Sequence, residues 1–214
     1  NAYHQFDPKL DILIDQFSYQ NIAIKNYKTK LDFENKNTIV LRESGFDFGE
    51  GHISMDGLMK IPADSSTYAK LGINANGNMA SFNEILNNNT FIFKEGWFEV
   101  EADFEGYIEA FQQLITGSQV KLTMNKSKVY LPQTDLLLPI DSVEITFDKR
   151  NAILNQLQLP LNSNNVITIS GALENFTTLI MEEEDFPVTS SLGISSKKLL
   201  FRDFAEIQKN LQFN

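Results

Sequence analysis

Phe98-Glu99-Val100-Glu101-Ala102-Asp103-Phe104-Glu105 places an apolar residue at every second position and a carboxylate at each position between. Side chains of an extended chain point alternately to two faces, so this stretch reads as a strand with one apolar and one wet, acidic face. Similar short alternations, bounded by turn residues, occur at 10–19, 21–26, 28–34, 38–42, 45–48, 51–58, 67–77, 91–105, 119–125, 127–131, 135–138, 141–148, 151–159, 164–172 and 188–199. Turns are expected at Asn35-Lys36-Asn37, Gly49-Glu50-Gly51, Asp148-Lys149-Arg150-Asn151 and Asn162-Ser163-Asn164-Asn165. Together these signals describe hairpins in a meander.

The apolar side of the opening stretch, Val100 and Phe104, is continued by Leu31 and Phe33, Ile53 and Met55, Ile145 and Phe147, and Ile167 and Ile169. Several of these are related by an internal echo, in which residues 17–61 recur without a gap as 131–175, 114 positions further on. Leu31-Asp32-Phe33 becomes Ile145-Thr146-Phe147, Ile22 and Ile24 become Leu136 and Leu138, and Ile53-Ser54-Met55-Asp56-Gly57 becomes Ile167-Thr168-Ile169-Ser170-Gly171. A weaker second half follows in the same order: Leu71-Gly72-Ile73 and Ser81-Phe82-Asn83-Glu84-Ile85 resemble Leu192-Gly193-Ile194 and Asp203-Phe204-Ala205-Glu206-Ile207. Self-similarity of this kind marks stacked units that bury their apolar faces against one another. Two units are expected, 1–116 and an incomplete 117–214, as a piece of a longer array. Gly57, Gly106 and Gly171 each end an alternating stretch and are expected at bends or bulges.

Three stretches depart from the period of two and are expected to be short helices: Phe82 to Leu86 capped by Ser81, Glu109 to Thr116, and Phe201 to Leu211. Helices of two or three turns are marginal alone, so they must pack on the sheet.

Composition narrows the function. A net charge of −10 and a pI near 4.7 leave no clustered cations to release counterions from phosphates, which argues against nucleic acid and anionic membrane surfaces as partners. Without cysteine there is no disulfide, thiolate nucleophile or zinc-thiolate site. No apolar run reaches the ~20 residues of a membrane-spanning helix, and residues 1–15 lack the order of a secretory signal. His4 and His52 sit in no recognisable catalytic constellation, and there is no Gly-x-Ser-x-Gly elbow. Glu182-Glu183-Glu184-Asp185 lacks the ligand spacing of a calcium loop and reads as solvated. Glu99, Glu101, Asp103 and Glu105 share one exposed ladder rather than facing across a cleft. The chain is therefore expected not to be an enzyme, with no cofactor and no metal.

The strand set Lys30-Leu31-Asp32-Phe33-Glu34, the Gly-flanked strand His52-Ile53-Ser54-Met55-Asp56-Gly57, and Leu71-Gly72-Ile73-Asn74-Ala75 leading into Phe82-Asn83-Glu84-Ile85-Leu86 resemble the repeats of AsmA-like proteins, especially those of Bacteroidota. The second copy, ending in Ser196-Lys197-Lys198-Leu199 and Asp203-Phe204, shares the likeness, which covers nearly the whole chain. The resemblance implies a periplasmic protein, held at the inner membrane by an N-terminal segment outside these residues. It further implies a β-groove related to TamB and the bridge-like lipid transfer proteins, serving outer-membrane biogenesis. Its partners would be phospholipid or another acyl lipid and other envelope proteins.

The expected fold is mainly β, a curved antiparallel β-sheet or groove built from internal repeats, with short helices. The candidate lipid-binding residues are Leu31, Phe33, Ile53, Met55, Val100, Phe104, Ile145, Phe147, Ile167 and Ile169. The alternative is a β-sandwich module for cell-surface adhesion or polysaccharide binding, for which Trp97 and Tyr107 supply aromatic surface. Assembly through exposed sheet edges by strand addition is a third reading of the same fold.

Overall fold

The computed structural model describes residues 8–19, 22–34, 37–62, 66–81, 83, 90–108, 117–162, 165–181 and 187–197. Eleven strands follow one another: β1 (Lys9–Tyr19), β2 (Ile22–Glu34), β3 (Thr38–Phe48), β4 (Gly51–Lys60), β5 (Thr67–Asn78), β6 (Ile92–Ile108), β7 (Ser118–Leu131), β8 (Leu136–Asp148), β9 (Asn151–Asn162), β10 (Asn165–Glu174) and β11 (Thr189–Ser196). Each pairs antiparallel with its neighbours in chain order, giving one open 11-stranded sheet with β1 and β11 at its edges. The described residues hold no second sheet, so the sandwich alternative is corrected: strand alternation is the same in a sandwich and in a single layer, and only pairing distinguishes them.

The expected segmentation was too fine in four places. The pairs 21–26 with 28–34, 38–42 with 45–48, 119–125 with 127–131, and 135–138 with 141–148 are single strands, β2, β3, β7 and β8. In the first three, a residue with left-handed backbone sits inside the strand, Asn26 (φ 52°), Glu43 (φ 45°) and Lys126 (φ 48°), and the ladder shifts register nearby. These are bulges, which interrupt alternation without ending the strand. In β8 the interruption is Pro139, which pairs with Lys128 of β7 but lies beyond the β8–β9 ladder, where its missing N–H costs nothing. Gly96 (φ 127°) serves the bulge opposite Lys126; a Cβ there would overlap the Ser127 hydroxyl and stand 2.7 Å from its Cα.

Turns at Gly49-Glu50 and Lys149-Arg150 close two-residue hairpins as expected, with positive φ at Gly49 (50°) and Lys149 (54°). Two longer connections fold back over the sheet. After β5, a 3₁₀ turn (Met79–Ser81) drops Met79 onto Phe48 and Phe98, and these three side chains are 3%, 4% and 0% exposed. Asn83 then ties this connection to β6, its amide donating to Phe93 O (2.7 Å) and its carbonyl accepting from Phe93 N (2.9 Å). After β10, helix α1 (Phe176–Met181) sets Phe176 against Phe147 at 5.5 Å and buries Thr177. The sequence reading did not anticipate either element. The helices it placed at 82–86, 109–116 and 201–211, and the acidic stretch 182–185, lie outside the described residues, Asn83 alone excepted.

Candidate functional site: an uncovered apolar face

Register carries the alternation of each strand across the whole sheet. One row of directly paired residues runs Phe46, Ile53, Ala75, Val100, Leu122, Ile145, Leu154, Gly171, Leu192, from β3 to β11. Beside it run Met55, Ile73, Ala102, Val120, Phe147, Ala152 and Leu173, from β4 to β10. On the other flank, Phe98, Met124, Val143, Leu157, Ile169 and Ile194 are paired in turn. Leu31, Leu41, Gly57, Leu71 and Phe104 extend the surface to β2, and β1 adds Leu10, Ile14 and Phe17. Since paired residues share a face, one side of the sheet is apolar over all eleven strands.

This face is only partly covered. Among the described residues just eight apolar side chains are buried: Phe48, Ala69, Met79, Phe98, Phe104, Val129, Val143 and Ile167. The 3₁₀ turn caps one end of β3–β6 and α1 caps the opposite end at β8 and β9.

All ten candidate residues lie on this face. Ile53, Val100 and Ile145 share one row, Met55 and Phe147 another, and Leu31 and Phe104 a third; Phe33, Ile167 and Ile169 lie further along the strands. Phe104 and Ile167, each 6% exposed, are enclosed by their neighbours, and the other eight are half-buried. The sequence reading omitted Ile73, Leu122, Leu154 and Leu157 from the interior and Leu10, Ile14, Phe17, Leu192 and Ile194 from the edges. The signal was the same alternation, carried strand to strand by register.

The opposite face is polar. Glu99, Glu101, Asp103 and Glu105 are all exposed, as expected, and ion pairs lie across the strands: Lys70–Glu105 (2.9 Å), Arg42–Asp32 (2.8 Å), Lys121–Glu144 (3.8 Å) and Lys30–Glu43. Hydrogen bonds from Lys70 and then Tyr68 hold the Glu105 carboxyl below its usual range. A cavity of about 930 Å³ opens on this side around Gly72, lined by the charged Arg42, Asp56, Lys70, Asp103 and Glu105 together with the apolar Val40 and Leu58. Hydrocarbon seated there would bury several charges, so the apolar face is the stronger candidate. Trp97 and Tyr107 sit at opposite ends of β6, ten residues or roughly 33 Å apart, which corrects the expectation of a joint aromatic surface; Tyr107 instead packs on Tyr68 at 5.5 Å.

His52 also lies on the polar face, its Nδ1 2.6 Å from Asp47 Oδ1, while Asn26 Nδ2 donates to the other oxygen at 2.7 Å. The Asn26 bond, then the His52 bond, lowers the Asp47 carboxyl. A carboxyl lowered in the folded state contributes stability that is present above its unfolded value and is lost as pH falls through the folded one. Asp47→Asn should therefore reduce the loss of stability between pH 5 and pH 2, read from urea midpoints across that window. The change should be small, because both side chains are well exposed.

Among the described residues no group of three or more His, Cys, Asp or Glu is placed to hold a metal, and no helix is long and apolar enough to cross a membrane. No family model, curated protein or solved structure matches this chain.

Proposed function

We propose that the chain is a non-enzymatic, AsmA-like lipid-handling segment that holds acyl chains against its apolar face and lets them move along the rows. The observation that carries this reading is the continuous apolar surface over eleven strands, which no second layer covers among the described residues. Burial of a methylene is worth about 0.8 kcal/mol, so a chain of ~15 carbons leaving a bilayer needs on the order of 12 kcal/mol of replacement contact. At ~4.8 Å per strand, the nine-strand row from Phe46 to Leu192 is roughly 38 Å long, more than twice the ~15 Å depth of one leaflet's hydrocarbon. Bulges at Asn26, Glu43 and Lys126 would bend the sheet into a groove around this face, leaving the head group in water at the open side.

The AsmA-like reading draws support from strand positions. Shifted by 114, β2 falls on β8 and β4 on β10, residue for residue. The following ladders also correspond: Gly57 pairs with Leu71 and Met55 with Ile73, as Gly171 pairs with Leu192 and Ile169 with Ile194. A periplasmic site, an inner-membrane anchor and a role in outer-membrane biogenesis follow from the family likeness and form part of the same proposal.

Native mass spectrometry of the protein purified from bacterial cells tests it. A retained phospholipid, in stoichiometric amount and lost on delipidation, is the expected result. Lipid-free protein that also takes up none when exposed to phospholipid would overturn the proposal.

A further inference from the structure

The polar face is not uniform. Along β6 its successive cross-strand rows carry charge: Asp56, Asp103 and Asp148 in one, Glu101 and Lys121 in the next, Glu99 and Glu144 in the third. The fourth row carries none over six strands, with Asn78, Trp97, Asn125, Ser142, Gln158 and Thr168 paired in turn from β5 to β10. Trp97 is the sole tryptophan of the chain and is 43% exposed. A deformed ladder sets it there: Gly96 (φ 127°) precedes it, Lys126 (φ 48°) follows its partner Asn125, and the register shifts between Glu95 and Trp97. Bulges of this kind re-aim side chains and gather beside functional sites. The neighbouring polar groups are held in place, Asn78 donating to Glu50 Oε2 (2.9 Å) and accepting from Ala80 N (2.9 Å), and Ser142 donating to Gln158 Oε1 (3.2 Å). At the β10 end the row meets a cavity of about 500 Å³, lined by Gln158, Thr168, Val166 and Ser195 among others.

We propose that this row binds a neutral polysaccharide, lying across the strands with one sugar ring stacked on Trp97. A pyranose carries apolar C–H groups on its faces and hydroxyls around its rim, which matches an indole flanked by amides and hydroxyls that both donate and accept. A row without charge takes such a ligand from water at less cost than the charged rows beside it, whose ionised groups would lose their hydration. The net charge of −10 turns away anionic glycans and nucleic acid. At ~4.8 Å per strand the six-strand row is roughly 24 Å long, and an extended chain of hexopyranoses advances by about the same step per ring, so consecutive rings meet consecutive strands. The row lies on the face opposite the acyl chains, so it stands or falls separately from the function proposed above.

Because the chain has a single tryptophan, its fluorescence reports on this site alone. Titration with linear β-1,4-linked hexasaccharides of glucose, mannose, xylose and N-acetylglucosamine should give a saturable change in emission with at least one of the four, matched by calorimetry. Against that sugar, Trp97→Ala should weaken binding measured by calorimetry at least about tenfold, and Gln158→Ala about threefold or more. Tyr107→Ala, at the other end of β6, should leave the affinity unchanged, and all three variants should keep the parent circular dichroism. Phospholipid uptake should be the same in Trp97→Ala as in the parent. No saturable response to any of the four sugars, or affinity unchanged in both Trp97→Ala and Gln158→Ala, would overturn the proposal, the second result placing the sugar on another surface. Tighter binding of a galacturonate hexamer than of every neutral sugar would overturn the neutral class of ligand.

Discussion

Replacing Phe98 with alanine is expected to cost about 3–5 kcal/mol, a large part of the 5–15 kcal/mol that holds a typical domain together. Phe98 is 0% exposed, lies 6.4 Å from the Phe48 ring centroid, and is covered by Met79 of the 3₁₀ turn. Its removal leaves a cavity in the buried cluster of Phe48, Met79 and Phe98, and loosens the connection that closes that end of β3–β6. Phe17→Ala, at a 36% exposed position on edge strand β1, should cost about 1–1.5 kcal/mol, in proportion to the smaller area it buries. Urea unfolding with unchanged slope measures both. Equal costs at the two positions would mean that Phe98 is not the centre of a closed corner.

The second large effect concerns binding. Met55→Asp and Ile169→Asp are each expected to abolish uptake of a fluorescent phospholipid while leaving the chain folded, at a cost of about 1–2 kcal/mol. Both residues are half-buried on the open face, so the carboxylate can turn to water while its charge repels hydrocarbon from the row. Val143, in the same row as Ile169 but 4% exposed, provides the contrast: Val143→Asp buries an unpaired charge and should cost several kcal/mol or prevent folding. If Met55→Asp and Ile169→Asp unfold the chain as Val143→Asp does, the face is a closed core.

The alternation in 98–105 was sufficient to place Phe98, Val100 and Phe104 on one face and the four acidic residues on the other, because the period of two belongs to the backbone itself. The same logic aligned Ile53 and Met55 with Ile145 and Phe147 through the echo at 114. Bulges escaped it. Asn26, Glu43 and Lys126 break the alternation as a turn would, and only the continuing ladder shows that the strand goes on. Helix α1 escaped too, since Phe176-Thr177-Thr178-Leu179-Ile180-Met181 carries a β-branched run that favours strand, and its place is set by Phe176 packing on Phe147. The number of sheets was equally hidden, because a sandwich and a single sheet use the same alternation and differ only in which strands pair. For the candidate site, Leu192 and Ile194 were legible as part of the echo, but their membership of the open face required the β10–β11 register.

Acyl chains held on the apolar face and not on the polar one are the core of the proposed function. Leu122 and Thr123 test it directly, as adjacent residues of β7 whose partners, Val100 with Ile145 and Glu99 with Glu144, lie on opposite faces. A photoreactive side chain introduced at either position should leave the fold intact, and irradiation with phospholipid followed by mass spectrometry reports which face the lipid touches. Lipid adducts are expected at position 122 and none above background at 123. Equal labelling at the two positions, or none at 122 in a folded chain, would contradict it.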